Sequence, residues 1–179
     1  GANKEALRHI VGVQFRNLAT VGGSVFGRFG FSDVLTLLLV MDSYVELYKG
    51  GIVPLADFVN MPYDRDILVR VIVKKTAAHY SYKSVRISKT DFPVLTCAAA
   101  LTQEGVQAAV GARPAKAALV KDAEQLATLP MTAEKAQAFA EYAAGLLPTE
   151  TNPRGSAAYR THLIKVLTAR CLTELGGKA

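Results

Sequence analysis

Apolar and polar positions alternate with a helical period at the start of the chain. In residues 4–11 the apolar side chains recur at helical spacing, and Gly12 ends that helix. Residues 17–21 then favour an extended piece that leads to the pair Gly22-Gly23. Two adjacent glycines at this point predict a turn with positive φ, because glycine adopts such backbone angles without strain.

The next stretch combines one helix with strands. Ser32 is a typical N-cap, and it predicts a helix with Asp33 in its first turn that runs to about Met41. The following segments alternate with period two or are rich in β-branched residues, which is typical of strands. They cover residues 44–48, 52–55 and 67–73, and Lys49-Gly50-Gly51 makes the first turn between them.

From about residue 78 the order of elements changes. Four strands are predicted over residues 79–87, 94–102, 106–111 and 115–120. Two helices follow, over residues 133–145 and 156–175, and Gly176-Gly177 ends the second one. A meander followed by helices predicts an α+β fold in which the helices pack on one face of an antiparallel sheet. We place the boundary between a first module, 1–77, and a second module, 78–179, near residue 77.

Composition and charge exclude few function classes. The chain has 179 residues, of which 50% are hydrophobic and 20% are charged, as in ordinary globular proteins. Its longest apolar run, residues 34–41, is too short to cross a bilayer, and no secretory signal is recognisable. The net charge is +6, but the sequence has no recognition motif for nucleic acid, so we do not expect nucleic-acid binding. We expect a cytoplasmic protein in which Cys97 and Cys171 are buried, reduced thiols.

Candidate chemistry is concentrated around the glycine pair. Successive amide groups in a glycine turn suit phosphate oxygens, and a ligand can approach where no Cβ stands in the way. By itself, however, Gly22-Gly23 is more simply explained as a plain turn. The three histidines lack companions at metal or triad spacing, so neither a metal site nor a catalytic residue is predicted from them.

The residues around the glycine pair change that interpretation. Five blocks resemble, in order, motifs of the FAD-carrying subunit of molybdenum hydroxylases, the family of xanthine dehydrogenase and carbon monoxide dehydrogenase. They are Arg16-Asn17-Leu18-Ala19-Thr20-Val21-Gly22-Gly23-Ser24, Ser32-Asp33 with its leucine-rich helix, Pro54-Leu55-Ala56-Asp57-Phe58, the strand Asp66–Val73, and Ser156-Ala157-Ala158-Tyr159-Arg160. A sixth block, Tyr82-Lys83-Ser84-Val85-Arg86, is one residue short of the family spacing between its lysine and its arginine.

The resemblance implies a role for each matching residue. Residues Thr20, Val21, Gly22, Gly23 and Ser24 would form the loop over the FAD pyrophosphate. Asp33 would accept hydrogen bonds from ribityl hydroxyls, or serve only as a charge at a helix N-terminus. Leu68 would pack near the flavin, with a core leucine as the plainer alternative. Lys83 would lie close to the flavin ring, with an exposed strand lysine as the alternative. Arg160 is interpreted as a structural ion-pair or interface residue rather than a substrate ligand.

The resemblance also implies the setting of such a protein. In this family, electrons pass from a molybdopterin-binding large subunit through [2Fe–2S] clusters of a small subunit to FAD, and then to NAD or another acceptor. The expected partners are therefore those two subunits, with NAD and a second copy of the chain as further candidates, and neither nucleic acid nor a membrane. The chain would be an oxidoreductase subunit whose own side chains need not act as acid or base.

Two departures from the family pattern qualify this reading. Family members carry an upstream module with a Gly-Gly-Thr-Asp-like loop, and nothing in residues 1–13 resembles it. We therefore expect about half of the FAD site here, and absent or weak FAD and no activity if this fragment is alone. The alternative is a non-catalytic assembly or docking module. In addition, Gly27-Arg28-Phe29-Gly30-Phe31 replaces the usual small, proline-containing stretch, which predicts a different pocket wall.

Overall fold

The computed structural model describes residues 1–177, so the last two residues of the predicted second module lie outside it. The helices are α1 (Ala2–Arg8), α2 (Val13–Leu18), α3 (Val21–Phe26), α4 (Asp33–Leu39), α5 (Leu55–Phe58), α6 (Ala133–Leu146) and α7 (Ala157–Gly176). The strands are β1 (Ser43–Leu47), β2 (Gly51–Pro54), β3 (Leu68–Val73), β4 (His79–Val85), β5 (Leu95–Thr102), β6 (Gly105–Gly111) and β7 (Ala118–Lys121).

The predictions of an extended piece over residues 17–21 and of a turn at Gly22-Gly23 are wrong, because residues 13–26 are mostly helical. Helices α2 and α3 occupy this stretch, and only Ala19 and Thr20 between them are extended. The Thr20 side chain caps α3 by accepting a hydrogen bond from the Gly23 amide at 2.9 Å. This cap draws both glycines into the first turn of a helix, where neither has a positive φ. The pair is thus a helix start and not a turn.

Helix α4 and strands β1 to β3 follow the prediction, whereas the short helix α5 was not predicted. Ser32 caps α4 by accepting a hydrogen bond from the Leu35 amide at 3.2 Å, and Asp33 lies in the first turn. Strand β1 pairs with β2 and with β3, both antiparallel, in the order β2-β1-β3. Leu35 and Leu39 of α4 pack with Val45 of β1 in one apolar core.

The second module contains the predicted antiparallel meander. Its strands are ordered β4-β5-β6-β7, and α6 and α7 cover one face of the sheet. Phe139 of α6 and Ile164 and Leu172 of α7 are fully buried there against Cys97 and Ala99 of β5. Helices on one face of an antiparallel sheet confirm the α+β fold predicted from the sequence.

The opposite face of this sheet is also buried, which the sequence did not predict. Ala98 and Ala100 point away from α7 and pack in the same core as the leucines of α4. Thr36 of α4 and Thr96 of β5 hydrogen-bond at 2.9 Å across this contact. Since the two parts share this buried surface, the first one is held against the sheet. The boundary near residue 77 stays a prediction.

Other buried groups of the second module serve the fold. Cys97 and Cys171 are both buried, as expected, and are not joined by a disulfide. The hydrogen bond with the Cys97 thiol, and then burial, raise the pKa of Cys171 well above its usual value. Among the described residues, no helix is both long and apolar enough to cross a membrane.

Among residues 1–177, Arg160 has the largest side chain that is fully buried. Its guanidinium donates to the Val94 carbonyl at 3.0 Å, the Glu150 carbonyl at 2.7 Å and Asn152 Oδ1 at 2.6 Å, and also to the Gly155 carbonyl. These partners are uncharged, so the residue is structural but forms no ion pair within residues 1–177. Burial lowers its pKa from the usual value.

Candidate flavin site

A groove of about 420 Å³ lies between the start of the chain, the α3–α4 region and the connection after β4. Thr20, Gly23, Ser24 and Asp33, four of the predicted site residues, line it. Its remaining walls are apolar or aromatic, apart from His9, Ser32, Arg86 and Asp91. The structure therefore brings the glycine segment and the predicted carboxylate to one cavity.

The start of α3 forms one end of the groove. Gly22 and Gly23 lie in its first turn, so their backbone can be approached closely. A Cβ on Gly23 would come within 3.0 Å of Thr20 Oγ1 and would crowd the cap. A Cβ on Gly22 would meet only Leu68 Cδ2, at 3.8 Å. Leu68 is thus beside the glycine pair, half-buried at the edge of the first core.

Asp33 forms the charged centre of the groove wall. Its side chain and that of Arg86 are each only 7% exposed, and Arg86 Nη2 lies 2.7 Å from Oδ1 and 2.6 Å from Oδ2. The Tyr82 hydroxyl donates to Oδ1 at 2.5 Å. Burial, and then the nearby Asp33 charge, raise the pKa of Tyr82 well above its usual value, so this hydroxyl remains a donor at neutral pH.

Three phenylalanines form the apolar wall. Phe29 and Phe31 stack with ring centroids 5.2 Å apart and an interplanar angle of 7°, and Phe92 tilts against Phe31 at 4.4 Å. All three rings are at least 39% exposed. Phe29 and Phe31 come from the stretch that departs from the family motif. The pocket wall is therefore aromatic at the place where the sequence predicted a difference.

Lys83 is not brought together with the other predicted residues. It points to the α7 side of the sheet, where its Nζ lies 2.9 Å from Glu174 Oε2. Adjacent strand residues face opposite sides, and Tyr82 points to the groove side. The geometry therefore gives no support to a place for Lys83 beside the flavin, and Arg86 is the cation from this segment that reaches the groove.

Sequence reasoning assigned no role to two groove residues, Arg86 and His9. Strand alternation from Tyr82 through Ser84 to Arg86 is the signal that could have identified the arginine. No comparable signal marks His9. Its Nδ1 is buried and has no hydrogen-bond partner among residues 1–177, and its ring lines the groove. Most buried polar atoms have a partner, so this nitrogen fits a groove that a polar ligand enters.

The groove fits part of an FAD molecule. The hydroxyls of Thr20 and Ser24 suit phosphate oxygens, Asp33 suits hydroxyl groups, and the phenylalanines suit a planar ring. A larger cleft of about 720 Å³ lies at the other end of α4. It is lined by lysines and hydroxyl groups but holds none of the predicted site residues.

Comparisons with known proteins find two family matches along the chain. Residues 2–76 match the family described as the FAD binding domain in molybdopterin dehydrogenase. Residues 80–175 match the CO dehydrogenase flavoprotein C-terminal domain. The chain is 29% identical over 169 residues to the uncharacterized protein YgfM of Escherichia coli (strain K12), covering 94% of this chain and 62% of that protein. It thus spans less than two thirds of that relative's length.

Solved structures with the same fold belong to known oxidoreductases. Carbon monoxide dehydrogenase from Hydrogenophaga pseudoflava superposes with a TM-score of 0.86 at 21% identity, over 99% of this chain and 68% of that one. Quinoline 2-oxidoreductase from Pseudomonas putida 86 gives a TM-score of 0.79 at 22% identity, over 97% of this chain and 66% of that one. At such identities the likeness establishes the fold.

The second family match alone covers more than half of the chain, and the first covers most of the remainder. Together they make FAD the cofactor that goes with this fold. The chain belongs to the FAD-binding flavoprotein family of the molybdenum hydroxylases, as the sequence motifs indicated.

Proposed function

We propose that the protein is the FAD-binding subunit of a xanthine dehydrogenase-like molybdenum hydroxylase complex. It would receive electrons through the [2Fe–2S] clusters of a small subunit, which are reduced by a molybdopterin-binding large subunit, and pass them to NAD or another acceptor. The observation that supports this proposal is that Thr20, Gly23 and Ser24 line the same groove as Asp33. A dinucleotide needs such donors for its diphosphate next to an acceptor for its sugar hydroxyls.

The protein's own residues would hold and orient the cofactor. The Val21 and Gly22 amides, which precede the capped Gly23 amide, and the Ser24 hydroxyl would donate to diphosphate oxygens, and Asp33 would accept from the ribityl chain. Leu68 and Val21 would provide apolar contact beside the glycine pair. Bound FAD supplies the redox chemistry, and the protein controls its position, its electrostatic surroundings and the access of water.

The second candidate function is a docking or assembly module that keeps the fold without FAD. The specific observation in its favour is the apolar surface around α2, where Leu18 is 87% exposed and Phe15 is 54% exposed. Large exposed apolar side chains in one area are typical of protein contacts. The groove with its buried carboxylate and glycine pair favours the flavoprotein.

Gly22→Ala tests the proposal without disturbing the fold. The added Cβ makes one ordinary contact, so the protein should remain as stable as wild type. The new methyl points toward Leu68, and the family resemblance gives both residues a place beside FAD, so we expect FAD affinity to fall at least about tenfold. FAD binding is measured by absorbance near the flavin band and by flavin fluorescence, on protein isolated from its source cells.

Gly145→Ala is the matched control, because a Cβ at that helical position meets nothing within 4 Å. It should leave FAD affinity unchanged. Wild-type protein isolated from its source cells that stays colourless after FAD is added would favour the docking module, because weak or absent FAD in this chain alone is expected for either function. Equal FAD affinity in the wild type and in Gly22→Ala would remove the glycine pair from the site.

A further inference from the structure

The Asp33 carboxylate is held by two side chains from the β4 segment. Oδ1 accepts from both the Tyr82 hydroxyl and Arg86 Nη2, whereas Oδ2 accepts from Arg86 Nη2. Arg86 is fixed in turn, since its Nη1 donates to Ser84 Oγ at 2.6 Å and its Nε to the Asp91 carbonyl at 3.1 Å. The carboxylate therefore has one defined orientation at the groove wall.

The two carboxylate oxygens differ in remaining capacity. A carboxylate oxygen accepts about two hydrogen bonds. Oδ1 already has two donors, and Oδ2 has one among the described residues. The second lone pair of Oδ2 is thus the acceptor that Asp33 can still offer to a hydroxyl in the groove.

We propose that Arg86 and Tyr82 are positioning residues of the flavin site: they fix Asp33 so that its Oδ2 accepts a hydroxyl of the ribityl chain. This inference rests on the proposed function. It assigns a task to two residues of the β4 segment, which follow Asp33 by 49 and 53 positions along the chain. The cation that serves the site is Arg86, which acts through Asp33 and need not contact the cofactor.

The burial of the pair explains why it can act in this way. At a water-exposed site a carboxylate turns among several orientations, and each bound hydroxyl costs that freedom. Here both partners are 7% exposed and joined by short contacts, so the orienting cost is met when the chain folds. Tyr82 strengthens this fixation because its raised pKa keeps it a hydrogen-bond donor to the negative oxygen.

The test compares two ligands that share the diphosphate. Wild type, Arg86→Lys and Tyr82→Phe are titrated with FAD and with ADP, which has no ribityl chain. Lysine keeps the charge but offers a single point of contact. We expect about tenfold weaker FAD binding for Arg86→Lys and about threefold weaker binding for Tyr82→Phe, with ADP affinity unchanged in both. A merely structural role would move both ligands together or neither.

Lys165→Gln is the control for loss of an ion pair, because the Lys165–Glu141 contact joins α6 to α7 on the other side of the sheet. It should change neither affinity. If Arg86→Lys does not fold, Tyr82→Phe carries the test, since it leaves the Asp33–Arg86 pair in place.

A double-mutant cycle identifies the route of action. In an Asp33→Asn background, Arg86→Lys should weaken FAD no further, because the group that it positions has been replaced. Wild type that binds FAD while both β4 variants bind it equally well overturns the inference and leaves the proposed function standing. Additive losses in the cycle also overturn it. Wild-type protein isolated from its source cells that takes up no FAD overturns both.

Discussion

Two buried arginines mark two differently built regions of the second module. Arg160, between α7 and the chain before it, is surrounded by carbonyl and amide oxygens and is fully buried. Arg86, on the other side of the sheet, is bound to a carboxylate at the wall of an open groove. The first arrangement is closed on itself, whereas the second keeps an acceptor that faces the cavity.

This difference separates structural from functional polar groups. A guanidinium that satisfies main-chain oxygens holds loops together and leaves nothing for a ligand. A buried ion pair with spare acceptor capacity is costly to build for stability alone, because desolvation opposes the attraction. The same residue type therefore serves the fold in one region and, in our proposal, the cofactor site in the other.

The largest expected effect is on the closed region. Arg160→Met should lower the free energy of unfolding by about 3–5 kcal/mol, because it leaves several buried oxygens without donors. Chemical denaturation followed by circular dichroism measures this loss. Arg160→Lys should lose less, since it retains the charge and some donors. A loss below about 1 kcal/mol for Arg160→Met would mean that water replaces the guanidinium.

An intermediate effect is expected where the first part meets the sheet. A Cβ on Gly30 would lie 2.2 Å from the Ala115 carbonyl oxygen, a contact that the backbone must move to relieve. Gly30→Ala should therefore destabilise the protein by about 1–3 kcal/mol. Gly145→Ala, placed in a helix with open space around it, should instead be neutral or stabilising by up to about 1 kcal/mol. Similar melting temperatures for both variants would contradict the observed closeness of this contact.

The smallest effect is expected at Lys83. Lys83→Gln removes a partly exposed pair with Glu174 and should cost less than about 1 kcal/mol. Because the side chain points to α7, we expect FAD affinity to stay within about twofold of wild type. FAD titration beside a thermal melt checks both values. A clear loss of FAD affinity would restore the role that the family resemblance gives to this lysine.

Local pattern predicted most of the elements because their signals are local. The Ser32 cap, the Lys49-Gly50-Gly51 turn and the alternating strands all lie within a few residues of what they determine. The prediction for the glycine pair was wrong although its signal is also local. Glycine suits both a turn and a helix start, and the decisive residue, Thr20, lies outside the pair.

The site could be predicted only in part. Its glycine segment and Asp33 stand in recognisable motifs, but Asp33 and Arg86 are 53 residues apart and meet only through the way the sheet packs on α4. No sequence spacing states that contact. Strand alternation does predict that Tyr82 and Lys83 point to opposite faces of the sheet. Once the face toward the groove is known, it favours Arg86 over Lys83 as the cation at the site.

The alanines of β5 have a consequence for how this protein can vary. Ala98 and Ala99 are neighbours that face opposite layers, and both are fully buried. The sheet therefore has a fully packed core on each face, and side chains on one face cannot become larger without affecting the other. A bulkier side chain at Ala98 would push on the layer of α4, and a strand shift that relieved it would disturb the layer of α6 and α7, so mutational tolerance on one side is limited by packing on the other.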